Sequence, residues 1–409
     1  MHKSPQSPTL VSLAGLGYFP LAMVARLPFA MMVIGVLTLV VAARGSVELG
    51  GINSAMVGLG TACVGPLIGA AADRFGQRPT LLIAGAVNSV ALLLFAWLAY
   101  SELPVWAMFV GAFLVGASAP QASPMSRSRL VTLVGDLPVA RRPRVMSTTM
   151  AYESAVDEAI FVFGPVVVGL LATWFGAGAP VIGAAVLTAI FITLFALHRT
   201  SAPAKSAEER AATLAPVSEL WRPRLLIVVI GIATVGVLFG STLTGLTSFM
   251  QDRGAVEQAG ILYGVMGVGS AIFAIAIAML PPSFTLRLRW PVCAVMILAG
   301  TLLLQTAHDI PRLLASLALM GIGIGPLLVT MYSLGALRSP AGRSATVMTM
   351  LGSGIVVGQS AASAITGTAA EQAGTSAALV VPLVAAALAL ASGIANWFLT
   401  PESERRSAH

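Results

Sequence analysis

Charge is what this 409-residue sequence has least of. Asp, Glu, Lys and Arg make up 10% of it, against about 25% in soluble domains, too few to cover a surface in water. Two cysteines and four histidines leave no disulfide framework and no metal-ligand spacing. No phosphate-binding loop is present, so no enzyme activity, cofactor, metal or direct use of ATP is expected. Cys63 and Cys293 both fall in apolar stretches and read as small core side chains. What is abundant excludes disorder and collagen: 57% of the residues are hydrophobic, and the mean hydropathy is +0.90. A polytopic membrane protein remains.

Runs of about 20 apolar residues mark membrane helices. Twelve occur, roughly at 17–43, 51–72, 79–100, 104–124, 146–172, 178–197, 225–249, 259–280, 291–307, 313–334, 345–369 and 377–399. They exceed the 9–11 residues of a barrel strand, and the first is too long for a cleaved signal peptide. With both termini inside, nineteen of the 23 Lys and Arg fall in inner segments, as topogenesis favours. Arg127, Arg129, Arg141, Arg142 and Arg144 are assigned to the inner 4–5 loop. Only Arg44, Arg253 and Arg312 lie outside, and Arg26 lies within a span. The net charge of +7 is thus spread over many inner loops rather than forming a nucleic-acid stripe. A polar stretch at 198–224 divides six spans (1–197) from six (225–409). Gly116 and Pro120 in the fourth span are matched faintly by Gly321, Gly323, Gly325 and Pro326 in the tenth. Two repeated six-helix halves are an architecture of secondary transporters.

After the second span the chain reads GAAADRFGQR, with Gly69, Asp73, Arg74, Gly76 and Arg78. Gly69 lets a neighbouring helix approach, and Gly76 suits a turn. Asp73, an acid on a basic face, wants an Arg or a helix N-terminus. The stretch resembles the G-x-x-x-D-R-x-G-R-R signature of the major facilitator superfamily, at the family's position, with Gln77 in place of one basic residue. The resemblance implies an all-α integral membrane fold of 12 transmembrane helices. It also implies that Asp73 links the two halves when the cytoplasmic side is closed, reaching the start of the eleventh helix near Arg343 and Ser344. The corresponding second-half loop, PPSFTLRLR at 281–289, keeps arginines and lacks the aspartate, so an asymmetric gate is expected.

The fifth span contains Glu153, Asp157 and Glu158, and the first contains Arg26; the other spans as drawn above carry no charge. Each such group costs about 2.5–3.5 kcal/mol at a helix centre, so all must pair or face a wet interior. Glu153 and Asp157, four residues apart, share a helix face; Glu158 lies about 100° round from Asp157. Arg26 and Glu153 have matching depths at 1.5 Å per residue, which predicts an Arg26–carboxylate pair. Three acids against one arginine leave an excess of two negative charges. At least one acid is therefore expected to hold a proton, as a proton carrier requires, with Asp157 or Glu158 as carrier and Arg26 holding the other acid.

The same helix continues with Gly164, Pro165 and Gly169, which looks like the end of the G-P-x-x-G-G motif of family drug/proton antiporters. The match is partial: Val168 stands where a glycine belongs. The membrane-embedded arginine that many such antiporters carry in the fourth span is not found in the span as drawn, and Arg26 is expected to replace it. Sugar-porter and peptide-symporter signatures are absent. Pro20 and Pro28 predict a kinked first span. Tyr18, Phe29, Gln121, Tyr152, Phe161, Phe239, Tyr263, Tyr332 and Gln359 are candidates to line a substrate cavity.

The sequence thus reads as a secondary active transporter, proton-coupled and exporting lipophilic or cationic small molecules by alternating access. The alternatives are a proton-coupled uptake symporter of a small metabolite and a non-transporting receptor or assembly factor on the same scaffold. Expected partners are the substrate, protons and the lipid bilayer, without nucleic acid. The expected state is a monomer in the cell's plasma or inner membrane, both termini cytoplasmic.

Overall fold

In this computed structural model the chain is described over residues 9–201, 208, 214–254, 259–281 and 283–400; the side chains of residues 47, 48, 158, 161, 162, 165 and 278 are not among those described. The described residues form helices and connections, with no strand among them. A short α1 (Leu10–Ala14) is capped by Thr9. The first crossing is split into α2 (Tyr18–Val24) and α3 (Leu27–Arg44). Pro28, in the first turn of α3, has no N–H to continue α2, and the break falls at Ala25 and Arg26. Next come α4 (Val47–Phe75), capped by the Ser46 hydroxyl on the Leu49 amide at 3.1 Å, and α5 (Gln77–Tyr100). Between them Gly76 adopts φ +94°, a conformation that favours glycine.

The fourth crossing differs from expectation. After α6 (Val105–Ala117) the chain leaves the helix at 118–121, around Pro120, then resumes as α7 (Ala122–Gly135). The helix therefore runs eleven residues past the expected end at 124, and Arg127 and Arg129 belong to it rather than to a loop. Then follow α8 (Arg142–Phe175), continuous through Pro165, and α9 (Ala179–Leu187), which passes through a π turn at Thr188–Ile192 into α10 (Thr193–Leu197). The rest comprises α11 (Pro223–Gln251), α12 (Ala259–Ala276), α13 (Leu286–Gln305), α14 (Ile310–Leu337) and the 56-residue α15 (Ser344–Leu399). Gly374 alone interrupts α15, at φ 80° and ψ 176°. The chain doubles back there, because Arg338, just before α15, donates to Asn396 and Thr400 at its far end, at 2.7 and 3.3 Å. Among the described residues ten helices are long and apolar enough to cross a membrane; α8, with its charges, is a further long helix, and α15 has the length of two crossings.

Buried apolar residues divide along the chain. One cluster draws on residues 220–386, joined by Met150 and Ala151 from earlier in the chain, with Val131 and Met146 packed against it. Two others draw on 31–185 and on 14–196 with Ala345. Glycines bring backbones together at matching places: a methyl on Gly116 of α6 would strike the Val57 carbonyl of α4, and one on Gly325 of α14 the Ser270 carbonyl of α12. Gly358 of α15 meets the Ala233 carbonyl of α11 in the same way. Outward-facing Trp97, Trp106, Trp174, Ile261 and Phe398 are exposed, as a lipid-facing surface requires. Cys293 is buried, but Cys63 is exposed, correcting its reading as a core residue. Residues 202–207 and 209–213 of the expected linker 198–224 lie outside the described residues. The last part of the linker forms a short 3-10 helix, Val217–Trp221, after Ala215 has bonded Ala341 at 3.0 Å.

Candidate functional site

The break in the first crossing places Arg26 as the residue before α3, its guanidinium turned toward α8. One nitrogen donates to Glu153 Oε2 at 2.5 Å and the other to Asp157 Oδ1 at 2.9 Å. Asp157 Oδ2 meets Arg127 Nη1 of α7 at 2.8 Å and accepts from the Ser123 hydroxyl at 2.8 Å. Arg127 Nη1 also donates to that hydroxyl at 2.7 Å. Glu153 Oε1 accepts from Ser126 at 3.0 Å, and the Ser126 and Tyr18 hydroxyls lie 2.8 Å apart. On its other side Arg127 covers the ring of Tyr332 in α14, its guanidinium carbon 3.6 Å from the centroid.

Arg127 is the residue that sequence reasoning missed. The expected balance of three acids against one arginine left out Arg127: the described members are two arginines and two carboxylates. Among these described members no protonated acid is required in a low dielectric, and protonation of one would be a change of state. Nor does Arg26 stand in for a missing arginine of the fourth crossing, since Arg127 supplies one. The missed signal was the absence of any helix breaker between Pro124 and Gly135. Pro124 itself sits in the first turn of α7, where proline is tolerated. Exposure separates the members: Arg26 is 3%, Glu153 0% and Arg127 2% exposed, Asp157 21%. Glu158 follows Asp157 in the helix, but its side chain lies outside those described.

The loop after the second crossing forms a separate contact. Asp73 accepts from the amides of Ala345 (3.0 Å) and Thr346 (2.7 Å) and from the Thr346 hydroxyl (2.6 Å). These are the second and third residues of α15, whose first turn has no side-chain cap of its own; Asp73 supplies one from another part of the chain. Gly69 allows the approach, since a methyl there would lie 2.8 Å from the Ala345 carbonyl oxygen and 3.0 Å from Thr346 Cα. Arg74 and Arg78 are exposed, Arg74 lying 5.2 Å from the Phe75 ring. Gln77, the departure from the signature, is buried and accepts from Arg129 Nε at 2.7 Å.

The remaining candidates are scattered. Gly164 is pressed against Ala30, a Cβ there falling 2.7 Å from the Ala30 Cβ, whereas Gly169 has open space. The side chains of Pro165 and Phe161 lie outside those described. Tyr18 and Tyr332 belong to the charge network rather than to a free cavity wall. Gln121 is buried, with its amide donating to Ala119 O at 3.0 Å. Phe29 and Phe239 are partly buried against apolar cores. Tyr152 packs edge-on to Phe19 at 5.3 Å; Tyr263 reaches the Phe239 carbonyl at 3.5 Å, and Gln359 is half-buried in α15. Among the described residues no group of three or more His, Cys, Asp or Glu could hold a metal ion.

Residues 15–304 match the family model described as Major Facilitator Superfamily. No curated protein matches the sequence. Similar solved structures include the human organic anion transporter MFSD10 (TETRAN), 17% identical over 95% of this chain and 100% of that one, with a TM-score of 0.71. A bacterial homologue of the iron transporter ferroportin, outward-facing with soaked iron, is 14% identical over 93% and 98%, with a TM-score of 0.70. The E. coli fucose:proton symporter FucP is 14% identical over 92% and 98%, with a TM-score of 0.66. At these identities the likeness is one of fold.

Proposed function

Because the chain belongs to the Major Facilitator Superfamily, a family of membrane transporters and not of enzymes, we propose that its buried charge network couples a proton to the alternating-access movement of a small molecule. The reading we favour is proton-driven export of lipophilic or cationic compounds. One observation carries the coupling: Asp157 bridges two buried arginines at 2.9 and 2.8 Å, yet is itself the partly exposed member. A proton reaching it removes one negative charge from a balanced set and leaves two guanidinium groups, which do not deprotonate, against Glu153. That imbalance is costly when buried and favours rearrangement.

Export by exchange follows if substrate and proton compete for the same carboxylate. Gly164, packed on Ala30, and Pro165 place a bendable point one helical turn or more beyond Asp157. The halves would be 1–197 and 225–409, with the linker and both termini cytoplasmic and the protein a monomer in the plasma or inner membrane. The bonds from Asp73 to α15 then hold the cytoplasmic side closed. Arg127 favours a second reading, uptake of a small anionic metabolite together with a proton: once Asp157 is neutral, an anion restores the balance against the two arginines.

The test is proton flux in proteoliposomes carrying an internal pH dye, with a panel of cationic, neutral and anionic compounds added under an imposed pH gradient. Compound-dependent proton movement is expected in the native protein and absent in Asp157→Asn. Cations that drive protons the opposite way support exchange; anions that carry protons with them support uptake. An Asp157→Asn protein that still couples overturns the assignment.

A further inference from the structure

We infer that Arg127 and Tyr332 transmit the protonation state of Asp157 from the first half of the chain to the second, an inference that rests on the proton coupling proposed for Asp157. The charged and titratable groups around Asp157 come from several elements. Its own helix gives Glu153, the first crossing Arg26, and α7 Arg127. Tyr18 joins through Ser126 and Glu153, Tyr152 lies beside Phe19, and α14 gives Tyr332. Of these, Tyr332 alone belongs to the second half.

Arg127 is held from two sides. The Asp157 carboxylate, 2.8 Å away, is its anionic partner, and the Ser123 hydroxyl at 2.7 Å shares the same nitrogen. The Tyr332 ring lies against the guanidinium, whose carbon is 3.6 Å from the centroid. Both residues are almost fully buried, and Arg127 Nε has no hydrogen-bond partner among the described residues, so carboxylate, serine and ring are its principal holds among them. Buried pairs of this kind are electrostatically strong, and a cation over a desolvated ring is firmly attracted. With Asp157 ionised, Arg127 is shared between the halves and pins them together. When a proton binds Asp157 the carboxylate loses its charge and no bond other than the new O–H is made. The guanidinium keeps its charge and its ring, and the balance of its direct contacts then moves toward the second half. Tyr332 is thus a positioning residue acting through Arg127.

The experiment needs no substrate. Fluorophores are placed on Ala140→Cys and Ala341→Cys, exposed positions at the end of the molecule that carries Asp73, in full-length protein with Cys63→Ala and Cys293→Ala, and the distance distribution in lipid nanodiscs is followed from pH 5 to 8. The native open-to-closed ratio is expected to change with pH, and Asp157→Asn to abolish the change. Tyr332→Phe, which keeps the ring, is expected to behave as the native protein. Tyr332→Leu removes the ring and is expected to shrink the pH response by about tenfold, although Asp157 is intact. Arg127→Lys, which keeps the charge without the planar face, is expected to reduce it too and decides the question if Tyr332→Leu does not fold. Loss of response in Asp157→Asn with a native response in Tyr332→Leu, or in Arg127→Lys if the former is unfolded, overturns this inference alone. A response that survives Asp157→Asn, or is absent from the native protein, overturns the carrier reading and this inference with it.

Discussion

The loop between α4 and α5 and the loop before α13 occupy matching places in the two halves, yet they hold their neighbours differently. In the first, Asp73 presents an anion to the uncapped start of α15 and receives two amides and a hydroxyl at 2.6–3.0 Å. In the second, Arg289, in the first turn of α13, reaches Ser147, in the second turn of α8, at 3.4 Å and otherwise bonds Phe284 O of the preceding loop at 2.6 Å. A cation gains nothing from the positive end of a helix. Sharing a fold position is therefore not sharing a function: the loss of one acid from PPSFTLRLR leaves a contact where its counterpart has a clasp.

Breaking the stronger side has the largest expected effect. Asp73→Ala removes charge-assisted bonds and leaves α15 uncapped, shifting the closed state by about 2–3 kcal/mol, or roughly 30- to 150-fold. The distance between labels at Ala140 and Ala341 should lengthen; an unchanged distance refutes the clasp. Gly69→Ala keeps Asp73 but forces a methyl toward the Ala345 carbonyl and Thr346. That overpacking should cost ~1–2 kcal/mol and open the same labels less far, and closure at native levels would show that the helices yield there. Arg289→Ala, on the weaker side, should shift the ratio by no more than about twofold, the low end for one hydrogen bond, since its contact to Ser147 is long at 3.4 Å. An opening as large as that of Asp73→Ala would erase the asymmetry.

Depth could be counted in the sequence. Arg26 and Glu153 stand equally far from the ends of parallel spans, and the structure places them 2.5 Å apart. Asp73 and Gly69 were legible too, because an acid in a basic loop and a glycine on a helix face each imply a partner. Arg127 was not, because the two Ser and two Arg between Pro124 and Leu130 lower the hydropathy to that of a loop. Hydropathy measures what faces lipid, and α7 at this point faces protein on most sides, with Ser126, Arg127, Ser128 and Arg129 all buried. The stop was written in other terms, as Gly135, Asp136 and Pro138, which end the helix whatever its polarity. At the opposite extreme, the expected gap at 370–376 proved helical except at Gly374. Ala, Glu and Gln there are good helix formers, and one glycine suffices for the reversal.

The charge network also sets a timetable for synthesis. Arg26 must wait for Glu153, which lies 127 residues later in the chain. At translation rates of about 5–20 residues per second that interval is roughly 6–25 s. Through it a lone arginine, then a second one in α7, has no anion to meet, since both acids arrive together on α8. The early helices are therefore expected to linger in the insertion machinery or at the bilayer rim until the fifth crossing arrives. A pause in elongation before α8 should lengthen that dwell, which pulse-labelled crosslinking of the nascent chain to the insertion channel can time.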